Sequence, residues 1–209
     1  MRSVSVLLLF ISMLGARPIR AQKNNSGGDG HASLLPGRRH SLIAWSGKGH
    51  AFTMEVPGKS AKPSDLPGFI TIDNQIVQTT LVAASQNIDL NYLTINREKD
   101  ILTKYMNYEL AYYKKRLKQD YSNVQTEWLT MQGHIFLLWY FDMPKDYKLV
   151  NRQVYLSTLF FDQIMDLNAP LFTIGDFNRA RELLVRLAGS LKTFDKNLDL
   201  TVLAHQLNK

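Results

Sequence analysis

Residues 98–119, EKDILTKYMNYELAYYKKRLKQ, decide the architecture. Leu102, Met106, Leu110, Tyr113 and Leu117 recur at intervals of four, four, three and four, which places them on one side of a helix. Ile101, Tyr105, Tyr108 and Tyr112 widen that stripe. Glu98 and Asp100 stand at its start, and Lys114, Lys115, Arg116 and Lys118 at its end, so the charges complement the helix dipole at both termini. An apolar stripe must lie on something, and the segments on either side have the period of strands.

Upstream, Ser41–Ser46 and His50–Val56 flank Gly47-Lys48-Gly49, a natural turn. Phe52, Met54 and Val56 alternate with Thr53 and Glu55, so one face of that strand is buried. Residues 57–68, with three prolines and two glycines, read as a loop. Phe69–Ile72 and Gln75–Ala84 flank Asp73-Asn74, and that pair suits a primed hairpin turn because both residues tolerate positive φ.

Downstream, Val124–Met131 is a strand with Trp128 on one face and Leu129 and Met131 on the other. Gln132-Gly133 turns the chain into His134–Phe141 (HIFLLWYF), which is apolar on both faces, as a strand covered on both sides must be. Residues 143–150 read as a polar loop, and Val154–Phe161 (VYLSTLFF) as a second interior strand that Asn168-Ala169-Pro170 ends. Phe177, Ala180, Leu184, Leu187, Leu191 and Phe194 then have helical spacing, with Asp176 as the N-cap. The tail after Asp195 is an extension or a short helix. The order β-β-β-β-α-β-β-β-α with short links predicts an α+β fold: a single antiparallel sheet of about six or seven strands packed by two principal helices, an α/β/α sandwich.

A strand ending Phe52-Thr53-Met54-Glu55-Val56-Pro57, a long middle helix, a hairpin, another strand and a terminal helix closing Leu187-Ala188-Gly189-Ser190-Leu191 together resemble the PsbP-like α/β/α sandwich superfamily. The resemblance covers roughly residues 41–195. It implies an accessory or binding protein without a catalytic constellation. No functional residue of that superfamily is carried over, because no motif here matches one.

The chain has 209 residues and no cysteine, which excludes disulfides, thiolate metal sites and a cysteine nucleophile. Its net charge of +7 is mostly an effect of the N-terminal segment. Arg2, Arg17 and Arg20 stand without an acid in residues 1–21, and Lys23, Arg38 and Arg39 face only Asp29 in residues 22–40, leaving +2 for residues 41–209. A nearly neutral body argues against nucleic-acid binding. Arg2 followed by the apolar run Val4–Leu14 reads as a signal peptide over 1–21, cleaved after Ala21 or after Ala16. Export to a periplasm or secretion follows, with no transmembrane span in the mature chain. Residues 22–40 read as a flexible polar leader, and 41–209 as a single domain.

Chemistry is sparse. Gly58-Lys59-Ser60 resembles the end of a phosphate-binding loop, but Thr53 stands where that motif needs glycine, and Pro63 and Pro67 forbid the helix that should follow. Ser46-Gly47-Lys48-Gly49-His50 has the backbone for an anion cradle, and a hairpin turn explains the same residues. His31, His40, His50, His134 and His205 include no i, i+4 pair, and no nucleophile elbow occurs. The expectation is therefore no catalytic residue, no cofactor and no metal.

A helix needs only about a 100° stripe for packing. Tyr108 and Tyr112, at the edge of the stripe, are thus expected to be partly exposed, and with Lys115 and Lys118 they form the candidate partner surface. The leading reading is an exported, non-enzymatic accessory protein that contacts another envelope protein. Its rivals are a carrier of a small apolar ligand held between helix and sheet, and a cryptic hydrolase.

Overall fold

Apolar residues in strands on both sides of the long helix divide between two sheets. The computed structural model describes residues 32–64, 68–84, 92–118, 121, 123–144, 149–172 and 175–209. The first strands are β1 (Ser33–Leu35), β2 (Leu42–Gly47), β3 (His50–Glu55), β4 (Ala61–Pro63), β5 (Phe69–Ile72) and β6 (Gln75–Ala83). The long helix α1 (Ile95–Leu117) follows, and then β7 (Gln125–Met131), β8 (His134–Asp142), β9 (Val150–Phe160), β10 (Gln163–Asn168) and β11 (Leu171–Phe172). The chain ends with α2 (Phe177–Gly189), β12 (Lys192–Phe194) and α3 (Leu200–Gln206). One sheet has the order β1-β2-β3-β12, and the larger one β4-β5-β6-β10-β9-β8-β7 with β11 beside β9. All the pairings are antiparallel.

The α+β class holds, but the single sheet of six or seven strands is corrected to sheets of four and eight strands. The terminal helix stops at Gly189, and the Ser190 hydroxyl accepts the Glu55 amide at 2.8 Å. The chain then runs antiparallel to β3, with Lys192 opposite Thr53 and Phe194 opposite Ala51. Helical spacing had carried the helix on to Phe194. The second correction concerns β10, which sequence patterning passes over. Phe161, with φ 54°, makes the β9–β10 turn without glycine or asparagine, and its ring stacks on His50 at 3.6 Å between centroids. The third is that Ser33–Leu35, expected within a flexible leader, pairs with Leu42–Ala44 as an edge strand. Residues 1–31, which include the expected signal peptide, lie outside the described residues. The expected loop 57–68 also holds β4, an edge strand in which Pro63 stands opposite Ile70 at the strand's end.

Other expectations hold. Asp73 and Asn74 have φ of 44° and 71°, as a primed turn requires. The Asp176 carboxylate accepts the amides of Asn178 (2.8 Å) and Arg179 (3.4 Å). The long helix begins at Ile95, three residues before Glu98, because the Thr94 hydroxyl caps it by accepting the Arg97 amide.

Strand pleat assigns side chains to layers. Phe136 and Leu138 of β8, Val154 and Leu156 of β9, and Met165 and Leu167 of β10 meet Ile43, Phe52 and Met54 of the small sheet and Leu184 and Leu187 of α2. On the opposite face Leu137, Trp139, Phe141, Tyr155, Leu159 and Ile164 meet Ile101, Leu102, Tyr105, Met106 and Tyr113 of α1. The outer face of the small sheet is covered by α3, through Leu200, Leu203 and Leu207 on Leu35, Leu42 and Ala44.

Phe52 is fully buried and packs edge-on against Phe160 at 5.3 Å. Phe52→Ala is expected to lower the unfolding free energy by about 3–5 kcal/mol, against about 1 kcal/mol for Asp176→Ala, as read by urea denaturation.

Candidate functional site on and beneath the long helix

Of the four residues expected to form the partner surface, Tyr108 stands out at 69% exposed, Tyr112 is half-buried, and Lys115 and Lys118 are exposed. Lys118 takes the left-handed cap position, φ 54°. Ile101, Tyr105, Tyr108, Tyr112 and Lys115 recur at intervals of four, three, four and three, and Lys104 lies four residues before Tyr108, so they share one edge of α1. That edge overhangs a crevice of about 280 Å³ lined by Val82 and Ala83 of β6, Ile164 of β10, and Ile101, Lys104, Tyr105 and Tyr108 of α1. Of the four expected residues, only Tyr108 lines it. Lys104 is held to Asp100 at 2.9 Å, which keeps the rim polar while the floor is apolar.

Beneath α1 lies a second feature, which sequence reasoning missed. The face of the large sheet that carries Trp139 and Tyr155 also carries Thr80, Ser157 and Asp166 in one row, Asp166 lying opposite Thr80 on one side and Ser157 on the other. The Ser157 hydroxyl donates to Asp166 Oδ1 at 2.5 Å and accepts from the Trp139 indole at 3.0 Å. The Tyr105 hydroxyl lies within electrostatic reach of Asp166, and the hydroxyls of Tyr113 and Tyr155 bond each other. One rung along, Asn168 donates to Gln153 at 3.0 Å, while Gln78 Nε2 has no partner among the described residues. Glu109 is also buried on the underside of α1 and lies within electrostatic reach of Asp166, Tyr105, Tyr113 and Tyr155.

Burial dominates the electrostatics. It pushes Glu109 up to about 7 and Asp166 well above the ordinary carboxylate range, with the neighbouring Glu109 charge raising Asp166 further. Tyr105, Tyr113 and Tyr155 are raised as well, chiefly by burial. Among the described residues no cation contributes to either carboxylate. The cluster is therefore a store of protons, since burial favours the protonated form of both carboxyls. Its sequence signal was available at Glu109, which falls between Met106 and Tyr113 on the apolar stripe, where an acid is out of place. Asp166 gave none, because its strand went unrecognised.

The two glycine-rich segments have structural occupants. The amides of Lys59 (3.2 Å) and Ser60 (2.9 Å) and the Ser60 hydroxyl (3.1 Å) all donate to the Asp73 carboxylate, which these bonds hold below its ordinary range. The anion in that cradle is the protein's own. At the β2–β3 turn the Gly49 amide donates to Asn197 Oδ1 (3.0 Å), and the Ser46 hydroxyl accepts the Leu198 amide (2.8 Å), so the turn docks the chain's tail. Burial lowers His134. Among the described residues no three His, Asp or Glu side chains gather as a metal set, and no helix is long and apolar enough to cross a membrane.

No protein-family model matches the chain, and no curated protein matches it significantly. Among solved structures, the solution structure of cyanobacterial PsbP (CyanoP) from Synechocystis sp. PCC 6803 is similar over 82% of this chain and 98% of that one, with 12% identity and a TM-score of 0.41. A likeness at that level says nothing of function.

The raised carboxylates give stability a definite pH slope. An acid raised in the folded state binds more protons folded than unfolded, so its contribution is intact below the unfolded value and lost as pH rises through the folded one. For Glu109 that window runs from 4.5 to about 7, and Asp166 acts in the same direction. The unfolding free energy is expected to fall by roughly 3 kcal/mol on the Glu109 account between pH 4.5 and 8. Glu109→Gln is expected to flatten most of that slope in urea titrations at each pH.

Proposed function

We propose that this chain is an exported, non-catalytic accessory protein that works by binding, with the Tyr108 edge of α1 as its contact surface. The observation that carries the reading is the crevice. It combines an apolar floor from two strands, a charged rim at Lys104, and at its lip a large aromatic ring left in solvent. Folding alone gives no reason to leave Tyr108 uncovered beside an apolar crevice, and an aromatic ring beside an apolar recess is a favourable anchor for a partner. Lys115 on the same edge, and Lys118 at the helix end, add positive charge that steers an acidic partner. The N-terminal apolar run after Arg2 supports export. Under this reading the partner is a protein of the cell envelope, in a periplasm or outside the cell.

The apolar floor also favours a second reading, carriage of a small apolar ligand in the same crevice. Native mass spectrometry separates the two. A bound mass after gentle purification supports carriage, and bare protein counts against it.

The direct test is in-cell crosslinking of the tagged chain in its host, comparing wild type with Tyr108→Ser and with the pair Lys115→Glu, Lys118→Glu. A reproducible envelope protein is expected to be captured by wild type and to fall at least fivefold with either change, the thermal midpoint staying within about 2 °C because these side chains are exposed. Equal capture by all three proteins would remove this surface from consideration.

A further inference from the structure

We propose that α1 stays seated on the large sheet only while the Glu109–Asp166 pair beneath it keeps its protons, so that proton loss lifts the helix and dismantles the crevice along its edge. The proposal concerns regulation of the crevice and rests on the reading of that crevice as the binding surface.

Three observations combine. First, among the described residues the pair has no counter-charge. The groups facing it are Tyr105 and Tyr113 from α1, Tyr155 and Ser157 from β9, the Trp139 indole from β8, and Thr80 and Gln78 from β6. All are neutral at physiological pH. A carboxylate ionised there is desolvated and meets a second acid instead of a cation, which is the costliest environment a protein offers it. Burial raises Glu109 to about 7, and at Asp166 the Glu109 charge adds to the effect of burial.

Second, the helix is separable. The core between the two sheets contains no residue of α1, and the cluster under α1 contains no residue of the small sheet or of α2. Lifting α1 exposes one face of the large sheet and leaves the inter-sheet core packed. A local opening is therefore available short of global unfolding.

Third, one side chain joins the proton store to the crevice. Tyr105 is part of the crevice wall, and on its buried side it lies within electrostatic reach of Asp166 and Glu109. Ile101, Lys104 and Tyr108 sit on the same helix, so the wall, rim and lip move with α1. Loss of the pair's protons thus removes four of the seven lining residues together.

The test is hydrogen–deuterium exchange by mass spectrometry on the chain between pH 6 and pH 8.5, corrected for intrinsic exchange at each pH. Peptides covering 101–113 report α1. Peptides covering 180–188 in α2, which buries only aliphatic side chains on the other face, report global opening. Linkage for an acid moving from about 7 seated to 4.5 released predicts that protection in α1 falls on the order of tenfold over this range while α2 is unchanged. In Glu109→Gln and in Asp166→Asn the fall is expected to shrink, and in the double variant to vanish. Three outcomes overturn the proposal: constant protection in wild-type α1, equal losses in α1 and α2, or a loss that persists in the double variant. The wild-type profile decides the matter even where a variant does not fold. No partner is present in this experiment, so its failure would leave the binding reading standing. Unchanged crosslinking by the Tyr108→Ser chain would defeat that reading without touching the exchange result.

Discussion

Everything in this molecule is referred to the pleat of β9. Val154, Leu156, Thr158 and Phe160 point into the core shared with the small sheet and α2, and Tyr155, Ser157 and Leu159 point beneath α1. A strand buried on both faces fixes register with unusual force, since a slip of one residue would exchange the two sets. Here it would push Tyr155 and Ser157 into an apolar core and put Leu156 where Asp166 needs a polar neighbour. β10, β8 and β11 all pair with β9, and both of the longer helices rest on its two faces. The division of the protein into a wholly apolar core and one that also holds polar groups follows from that single strand.

The two sides are built on different physics. Between the sheets, stability comes from close packing of Phe52, Met54, Phe136, Leu138 and Leu156, with no charge to neutralise. Under α1, apolar contacts share the surface with hydrogen-bonded indole, hydroxyl and carboxyl groups. A buried polar network is favourable while fully satisfied and costly once one member changes charge. The seating of α1 is accordingly conditional in a way that the seating of α2 is not. The residues that give α1 an outward face, Tyr108 above all, belong to the same rigid element as Glu109, so outer surface and inner network cannot be altered independently.

Much of the layout could be read along the chain because its signals are local. The primed turn at Asp73-Asn74, the cap at Asp176, the two-sided apolar strand 134–141 and the dipole-matched ends of α1 each depend on a few adjacent residues. What escaped were elements whose local pattern is atypical for a reason found elsewhere. β10 contains a buried acid, and the turn before it uses Phe161 in a left-handed conformation that His50, distant in sequence, holds by stacking. β12 follows a helix whose apolar spacing runs on past its true end, and only the open edge of β3 makes it a strand. The outward half of the candidate site was legible, since Tyr108 and Tyr112 sit at the border of a stripe wider than packing needs. The inward half was not.

By itself the sequence determined the α+β class, the position and amphipathic face of α1, most turns, and the near-neutral charge of the body. These rest on periodicity, turn chemistry and counting, which involve neighbours along the chain. Only the tertiary structure decided that the strands form two sheets, that residues 33–35 and 192–194 close the smaller one, and that Glu109 and Asp166 share a buried space. Each of these is a meeting of residues far apart in the chain. A carboxylate reads alike in solvent or in a core until the fold places its neighbours, and here that placement gives two ordinary acids their unusual chemistry.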